Sequence, residues 1–191
     1  MFSKRQQQII ETSVKIIDEK GIQGFTIKNL SNEIGISESA IYRHFDSKVM
    51  ILSAVLETFK QKVEGYYKTL KETNNIPAEK QIHNFFSMMF KYFTDNPALV
   101  SVIFAEEIFQ NELQLSNKVL EIQAVNEKII KEMIKGLTLN AKLSNGDSEE
   151  VTIILSGSIR LLVSKWKMSN NAFDLIEDGE KLINTILKLI R

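Results

Sequence analysis

The stretch between residues 26 and 48 reads TIKNLSNEIGISESAIYRHFDSK, and its pattern predicts how the N-terminal region folds. Thr26 and Ser37 are residue types that favour helix N-caps, and each precedes a short segment with apolar positions. Gly35 lies between the two segments, where a glycine ends a helix in the left-handed conformation without strain. Helices of about seven residues are too short to be stable alone and need a third helix to pack on. The spacing therefore predicts a helix-turn-helix.

These two short helices have an apolar inner face and a polar outer face. By helical spacing, the side chains predicted to point inward are Leu30, Ile34, Ile36, Ile41 and Phe45. The outer face of the second short helix then offers Glu38, Ser39, Tyr42 and Arg43. Its N-terminus at Ser37 also directs free backbone N–H groups outward, and phosphates are natural partners for such groups.

Helical spacing recurs through the rest of the chain, which contains only two prolines, Pro77 and Pro97. A first helix is predicted to follow Ser3 and to stop at Gly21, and a fourth, much longer helix is predicted to begin at Ser47. Further helices are predicted over residues 78–95, 97–104, a segment that includes 122–133, 148–168, and a last segment that includes 182–190. The predicted fold class is therefore all-α.

Composition excludes several classes of protein. The 24 Lys and Arg residues balance 24 Asp and Glu residues, so bulk charge gives no argument for binding a polyanion. The absence of cysteine excludes disulfide scaffolds, zinc fingers, iron–sulfur clusters and thiol nucleophiles. A length of 191 residues favours one or two domains.

Neither export nor catalysis is expected. The first residues are polar and charged, and the most apolar run, 151–163, contains Arg160 and is shorter than the roughly 20 residues of a membrane-spanning helix. We therefore expect a cytoplasmic protein without membrane association. The only histidines are His44 and His83, and no Gly-rich phosphate loop, paired-carboxylate motif or His-x-x-x-His spacing is present. We predict no enzyme, with no catalytic residue, metal site or cofactor.

About a quarter of the chain resembles the TetR family of bacterial transcriptional regulators. The resemblance rests on Gly21, Phe25-Thr26-Ile27, Leu30, Gly35-Ile36-Ser37, Ile41-Tyr42-Arg43-His44-Phe45 and Ser47-Lys48. It implies a three-helix DNA-binding domain over residues 1–47 and a helical ligand-binding and dimerisation domain over residues 48–191. It also implies a one-component regulator, a repressor that binds a palindromic double-stranded DNA operator as a homodimer and is released by a small hydrophobic effector.

By position, the resemblance assigns roles in DNA binding. Thr26, with Lys28 beside it, would hold a backbone phosphate, as would Tyr42, and Lys48 would clamp the next phosphate. Ser39 and Ala40 would face base edges in the major groove, and Arg43 or His44 would contact a phosphate or a nearby base. Phosphate contacts set the register of a protein on DNA, whereas base contacts read the sequence. The predicted DNA-binding residues are Thr26, Lys28, Ser37, Glu38, Ser39, Ala40, Tyr42, Arg43, His44 and Lys48.

Glu38 departs from the family pattern, since many members carry a neutral or basic residue there. It either compensates the dipole at the helix N-terminus, which is the favoured interpretation, or accepts a hydrogen bond from cytosine N4. Up to Lys48 the chain has only one more basic than acidic residue, so DNA affinity must come from the placement of charges. The alternative function is a helical interaction or adaptor protein that does not bind DNA. Retention on heparin or random duplex DNA at low salt distinguishes the two.

Aromatic residues are concentrated after the N-terminal region. The resemblance implies a ligand cavity among the fourth to eighth helices, whose occupation moves the fourth helix and alters the spacing of two DNA-reading heads. The predicted ligand-binding residues are Tyr66, His83, Phe86, Met89, Phe93, Phe104 and Trp166. The composition alone is explained equally by an aromatic core without a cavity. An effector at this site would be hydrophobic and uncharged or weakly charged.

The last two predicted helices are the candidate dimer surface. Apolar residues cover more than one face of the helix over 148–168, and Ser156-Gly157-Ser158 would let helices approach closely. In the family, these two helices from each chain form a four-helix bundle, and the two-fold symmetry implies a palindromic operator. The predicted interface residues are Ile154, Leu155, Gly157, Leu162, Leu182, Ile183, Ile186 and Leu187.

Overall fold

A computed structural model describes residues 2–73, 76–104, 112–137 and 148–190, and every regular element among them is an α-helix. In chain order the helices are α1 (Lys4–Gly24), α2 (Ile27–Ile34), α3 (Glu38–Tyr42), α4 (Lys48–Glu72), α5 (Ala78–Asp95), α6 (Pro97–Ile103), α7 (Leu113–Ile134), α8 (Ser148–Met168) and α9 (Leu175–Ile190). The predicted all-α class is confirmed. Within these ranges, no helix is both long and apolar enough to cross a bilayer.

Local signals set the ends of α2 and α3 as predicted. The Thr26 hydroxyl accepts a hydrogen bond from the backbone N–H of Asn29 at 3.1 Å, and the Ser37 hydroxyl accepts one from the N–H of Ala40 at 3.2 Å. Gly35 ends α2 with a φ of 75° and a ψ of 36°, in the left-handed region. The helix α3 is shorter than the predicted seven or so residues, because the chain turns after Tyr42.

The helix α1 differs from the prediction at its C-terminal end. Gly21 has a φ of 68° and a ψ of 171°, which is not helical, so the regular helix is interrupted where the sequence predicts its end. Helical structure then resumes and continues to Gly24. The left-handed φ explains why a glycine is placed there, since other residue types pay a steric cost in that region.

The chain divides into two compact units that are not contiguous in sequence. The first unit comprises the described parts of Met1–Lys60 and Asn96–Ile122, and in it α6 packs against α1. Its fully buried side chains are Ile9, Ile16, Ile17, Phe25, Leu30, Ile41, Ile51, Leu56 and Leu115, among others. The functional division at residues 47 and 48 stays a prediction, since these units are defined by packing.

The second unit comprises the described parts of Gln61–Asp95 and Gln123–Arg191. In it α9 packs against both α5 and α8. The approach of α9 to α5 depends on Gly179, because a Cβ atom there would lie 2.5 Å from Cδ2 and 2.6 Å from Cζ of Phe90. The core of this unit includes Val63, Ile82, Phe90, Val151, Leu155, Val163, Leu175 and Ile183.

Candidate DNA-binding surface

The inner face of α2 and α3 is packed into the first unit. Leu30 and Ile41 are fully buried and Phe45 is 6% exposed, whereas Ile34 and Ile36 are half-buried. The turn between the helices is closed by hydrogen bonds from the N–H groups of Gly35 and Ile36 to the carbonyl of Ser31, at 2.9 and 3.0 Å. The predicted helix-turn-helix is therefore present, with its outer face directed to solvent.

The outer face of α3 brings most of the predicted DNA-binding residues together. The side chains of Ser37, Glu38, Ser39, Tyr42, Arg43 and His44 are exposed, and Ala40 is half-buried. The hydroxyls of Ser37 and Ser39 lie 2.9 Å apart. The Ser37 hydroxyl that caps α3 therefore also orients Ser39, the residue predicted to face base edges.

Two further predicted residues lie at the start of α2. Thr26 and Lys28 are both exposed. The Thr26 oxygen accepts the capping hydrogen bond from Asn29, so its hydroxyl proton is available for a phosphate oxygen. The Asn29 side-chain amide donates to the carbonyl of Gly24 at 2.8 Å and so ties α2 to the end of α1.

Lys48 lies over the ring of Phe25, a contact that the sequence did not predict. Lys48 is the first residue of α4 and is half-buried, with its ammonium 5.4 Å from the centroid of the buried Phe25 ring. A cation over an aromatic face is stabilised by the ring quadrupole. Phe25 is part of the motif that carried the family resemblance, but nothing in the sequence separates a core phenylalanine from one that also holds a lysine.

The carboxylate of Glu33 in α2 is paired with a lysine within the first unit. Lys15 of α1 donates to Glu33 of α2 at 2.7 Å. This hydrogen bond lowers the pKa of Glu33 and raises the pKa of Lys15. The α2 carboxylate is therefore held by α1, which reduces its repulsion of a nearby polyanion.

A cluster of four charged residues joins α4 to α7 in the first unit, and no pattern in the sequence predicts it. Lys118 bonds Glu57 at 2.8 Å and Glu121 at 2.6 Å, while Lys60 pairs with Glu57 at 3.2 Å and also contacts Glu121. Hydrogen bonds from Lys118 and Lys60 lower the pKa of Glu121 to about 2. Alternating charges of this kind fix α4 against α7 better than one exposed pair would.

Most of the predicted ligand-binding residues fall in the second unit. Phe86, Met89, Phe93 and Trp166 are buried there, and Tyr66 and His83 are half-buried, whereas Phe104 is half-buried in the first unit. The Phe86 ring lies 5.3 Å from Phe85 and 6.5 Å from Phe90, measured between centroids. The aromatic side chains of α5 thus form a ring cluster in the core.

The predicted dimer residues separate into two groups. Leu155, Ile183, Ile186 and Leu187 are buried within their own chain, so they belong to the core of the second unit and are not available to a partner. Ile154 and Gly157 are exposed, and Leu162 and Leu182 are half-buried. The prediction counted all apolar positions, although α8 and α9 each use one face to pack on their own unit.

Comparisons with known proteins place this geometry in a family context. The profile of bacterial regulatory proteins of the tetR family matches residues 9–55, and the profile of the C-terminal region of MAATS-type transcriptional repressors matches residues 77–191. The nucleoid occlusion factor SlmA of Mannheimia succiniciproducens is 26% identical over 91% of this chain and 83% of its own length. The probable acrEF/envCD operon repressor of Escherichia coli strain K12 is 20% identical over 97% of this chain and 86% of its own length.

Solved structures of low sequence identity share the fold. The fatty acid degradation regulator FadR of Bacillus halodurans has a TM-score of 0.81 at 18% identity, covering 98% of this chain and 96% of that one. FadR of Bacillus subtilis, solved in complex with stearoyl-CoA, has a TM-score of 0.76 at 21% identity, covering 97% of this chain and 99% of that one.

Proposed function

The chain belongs to the TetR family of bacterial regulatory proteins and is a DNA-binding regulator, and from this premise we propose that it is a repressor released by a small hydrophobic effector. In this proposal a homodimer presents two copies of α3 to a palindromic operator. Effector binding in the second unit shifts the protein to an arrangement that no longer fits the operator.

The observation that carries the DNA-binding role is the capped pair of α2 and α3 with its exposed polar face. The hydroxyl of Ser39, the residue proposed to read base edges, lies 2.9 Å from the hydroxyl of Ser37, and Arg43 is exposed one residue beyond α3. Thr26 and Tyr42 supply hydroxyl donors for phosphates, with Tyr42 47% exposed. These few side chains give both kinds of contact that a DNA-binding protein needs, to the phosphate backbone and to base edges.

Selection from a random duplex pool tests the operator directly. The purified chain is expected to retain a palindromic sequence, with an affinity that falls steeply as salt concentration rises. Ser39→Ala is expected to change which sequence is preferred, while Tyr42→Phe is expected to weaken binding to every duplex alike. If the chain retains no duplex at low salt, operator binding is refuted and the interpretation as an adaptor protein is favoured.

The proposed dimer surface uses the exposed apolar side chains of α8 and α9. Ile153, Ile154 and Leu161 of α8 are 62%, 50% and 56% exposed, and Leu189 of α9 is 73% exposed. Gly157 lies on the same face of α8, and a Cβ atom there would meet nothing within 4 Å. Such a stripe is costly to leave in water and is typical of a helix that packs on a partner. The chain is therefore expected to sediment at twice its mass of 21.9 kDa.

The proposed effector class rests on the apolar interior of the second unit. Phe86, Met89, Phe93 and Trp166 are buried, predominantly apolar side chains in its core, and FadR of Bacillus subtilis is a structural neighbour solved with stearoyl-CoA. We therefore propose an acyl chain or a comparable hydrophobic compound. A ligand that prefers the DNA-incompetent arrangement must lower operator affinity by the same factor by which DNA lowers ligand affinity.

A panel of fatty acids and acyl-CoA thioesters of increasing chain length tests the effector class. A true effector is expected to raise the melting temperature and release the operator together. Stabilisation without release would refute regulation by that compound. If neither effect appears with any member of the panel, the hydrophobic effector class is wrong.

A further inference from the structure

The first turn of α1 and the residue before its N-cap hold the segment that follows α3 by two contacts. The Gln6 side-chain nitrogen Nε2 donates to the backbone carbonyl of His44 at 3.2 Å. The ring of Phe2 lies 6.4 Å from the ring of Phe45 between centroids, at an interplanar angle of 46°. Both contacts act at the point where α3 ends and the chain turns toward α4.

Gln6 is itself held in place by a capping box at the start of α1. Its oxygen Oε1 accepts from the backbone N–H of Ser3 at 3.0 Å, and its own N–H donates to the Ser3 hydroxyl at 3.2 Å. A glutamate would serve a capping box as well as a glutamine does, but a carboxylate cannot donate to a carbonyl. The amide of Gln6 therefore supplies something beyond the cap, which is the bond to His44.

The helix α3 needs such outside support because it spans only Glu38–Tyr42. A helix of this length does not hold its own direction in water. Tyr42 and Arg43 lie directly before the carbonyl that Gln6 holds, and both are exposed on the proposed DNA-binding surface. The direction in which they project depends on how the end of α3 is fixed.

We propose that Gln6 is a positioning residue for DNA binding, which orients Tyr42 and Arg43 by holding the carbonyl of His44. This inference rests on the proposed binding of an operator. Gln6 touches no DNA in this scheme. It lowers the entropy that α3 loses on binding, because the bound direction of its last residues is already set in the free protein.

Two neutral substitutions separate the tether from the cap. Gln6→Met removes the bond to His44 together with its part of the capping box, whereas Ser3→Ala weakens the capping box and leaves the bond to His44 in place. Gln6→Met is expected to lower operator affinity by about three- to tenfold, the range expected for one hydrogen bond, and to reduce the salt dependence. Ser3→Ala is expected to leave the operator affinity within about twofold of the wild type and the salt dependence unchanged, although the two variants both lose helix stability.

Amide hydrogen exchange in the free protein reports whether the end of α3 is released when the bond to His44 is lost. The N–H groups of His44 and Phe45 donate to the carbonyl of Ile41 at 2.9 and 3.1 Å. Their exchange is expected to accelerate in Gln6→Met and to stay at the wild-type rate in Ser3→Ala, because only the first variant frees the end of α3.

The outcomes separate this inference from the proposed function. If the wild type retains no duplex, the proposed function fails before any variant is compared, and so does a positioning role in DNA binding. If the wild type binds and Gln6→Met binds equally well, the positioning role alone is overturned. Equal losses of operator affinity in Gln6→Met and Ser3→Ala would assign the effect to the capping box. An unchanged exchange rate of the His44 amide in Gln6→Met would show that other contacts hold the end of α3, and would overturn the positioning role.

Discussion

Replacing Gly179 by alanine would drive a methyl group into the ring of Phe90. The new Cβ atom would lie 2.5 Å from Cδ2 and 2.6 Å from Cζ, and closer still to Cε2. Carbon atoms in contact normally lie about 3.5–4.0 Å apart, so the ring or the helix has to move by more than about 1 Å. Phe90 is completely buried, and its ring lies against that of Phe86. The shift therefore has to be absorbed inside the core of the second unit.

The loss of stability in Gly179→Ala follows from two opposed effects. Overpacking of a buried site costs about 1–3 kcal/mol, and the overlap with three ring atoms favours the upper end. Alanine is the better helix former by about 1 kcal/mol, so the net loss in the free energy of unfolding is about 2 kcal/mol. Gly65 in α4 is the matched control, because a Cβ atom there meets nothing within 4 Å. Gly65→Ala should therefore stabilise the protein by about 0.5–1 kcal/mol.

Urea and thermal unfolding followed by circular dichroism at one fixed protein concentration compare the two variants. The melting temperature should fall by about 4–8 °C in Gly179→Ala and rise slightly in Gly65→Ala. Phe90→Leu in the Gly179→Ala background should relieve part of the overlap, which a double-mutant cycle would measure. Equal stabilisation by both glycine substitutions would refute the packing argument. It would mean that Phe90 has free space beside it, as expected if the aromatic cluster borders a cavity.

Three further predictions concern DNA binding, dimerisation and acid stability. Lys48→Ala should weaken binding to all duplexes alike. Because one phosphate neutralisation is lost, the slope of log affinity against log salt concentration should fall by about one unit per chain. Unchanged salt dependence in gel-shift titrations would contradict a phosphate contact by Lys48. Leu161→Glu should convert the proposed dimer to monomer in sedimentation, because association would bury an unpaired carboxylate. Leu113→Glu, at a 79% exposed position of α7, should leave the proposed dimer intact. A wild type that sediments as a monomer would refute the dimer, and a dimeric Leu161→Glu would rule out this face. Hydrogen bonds from Lys118 and Lys60 lower the pKa of Glu121 to about 2, so its contribution to stability is present above about pH 4.5 and is lost as the pH falls toward 2. Glu121→Gln should therefore flatten the pH dependence of the free energy of unfolding over that range. A profile parallel to that of the wild type would count against the cluster.

The features that could be predicted from the sequence are those with local causes. Thr26, Gly35 and Ser37 act on backbone groups within three or four residues, so their identities suffice to predict the ends of α2 and α3. The same holds for Leu30 and Ile41, whose spacing places them on one face. The exposed face of α3 can be predicted from these caps and this spacing together, because neither depends on contacts between distant helices.

The features that could not be predicted depend on contacts distant in sequence. Gln6 and His44 are 38 residues apart, and nothing in the pattern of either segment links an amide of α1 to that carbonyl. For Ile183 and Leu187, periodicity indicates a buried face but cannot tell whether the same chain or a partner covers it. The structure resolves this choice, because α9 packs these side chains against its own unit and leaves Leu189 exposed.

A chain with no net charge has to gain DNA affinity from the placement and orientation of its contacts, and three of the proposed contacts are held by another residue, here called the holder. Ser37 orients Ser39, Phe25 holds Lys48, and Gln6 holds the carbonyl that follows Arg43. Each of these holders lies within the first unit and spares the contacting side chain part of the entropy lost on binding. Substituting a holder should therefore lower operator affinity even where, as for Gln6, the holder itself is proposed not to touch DNA.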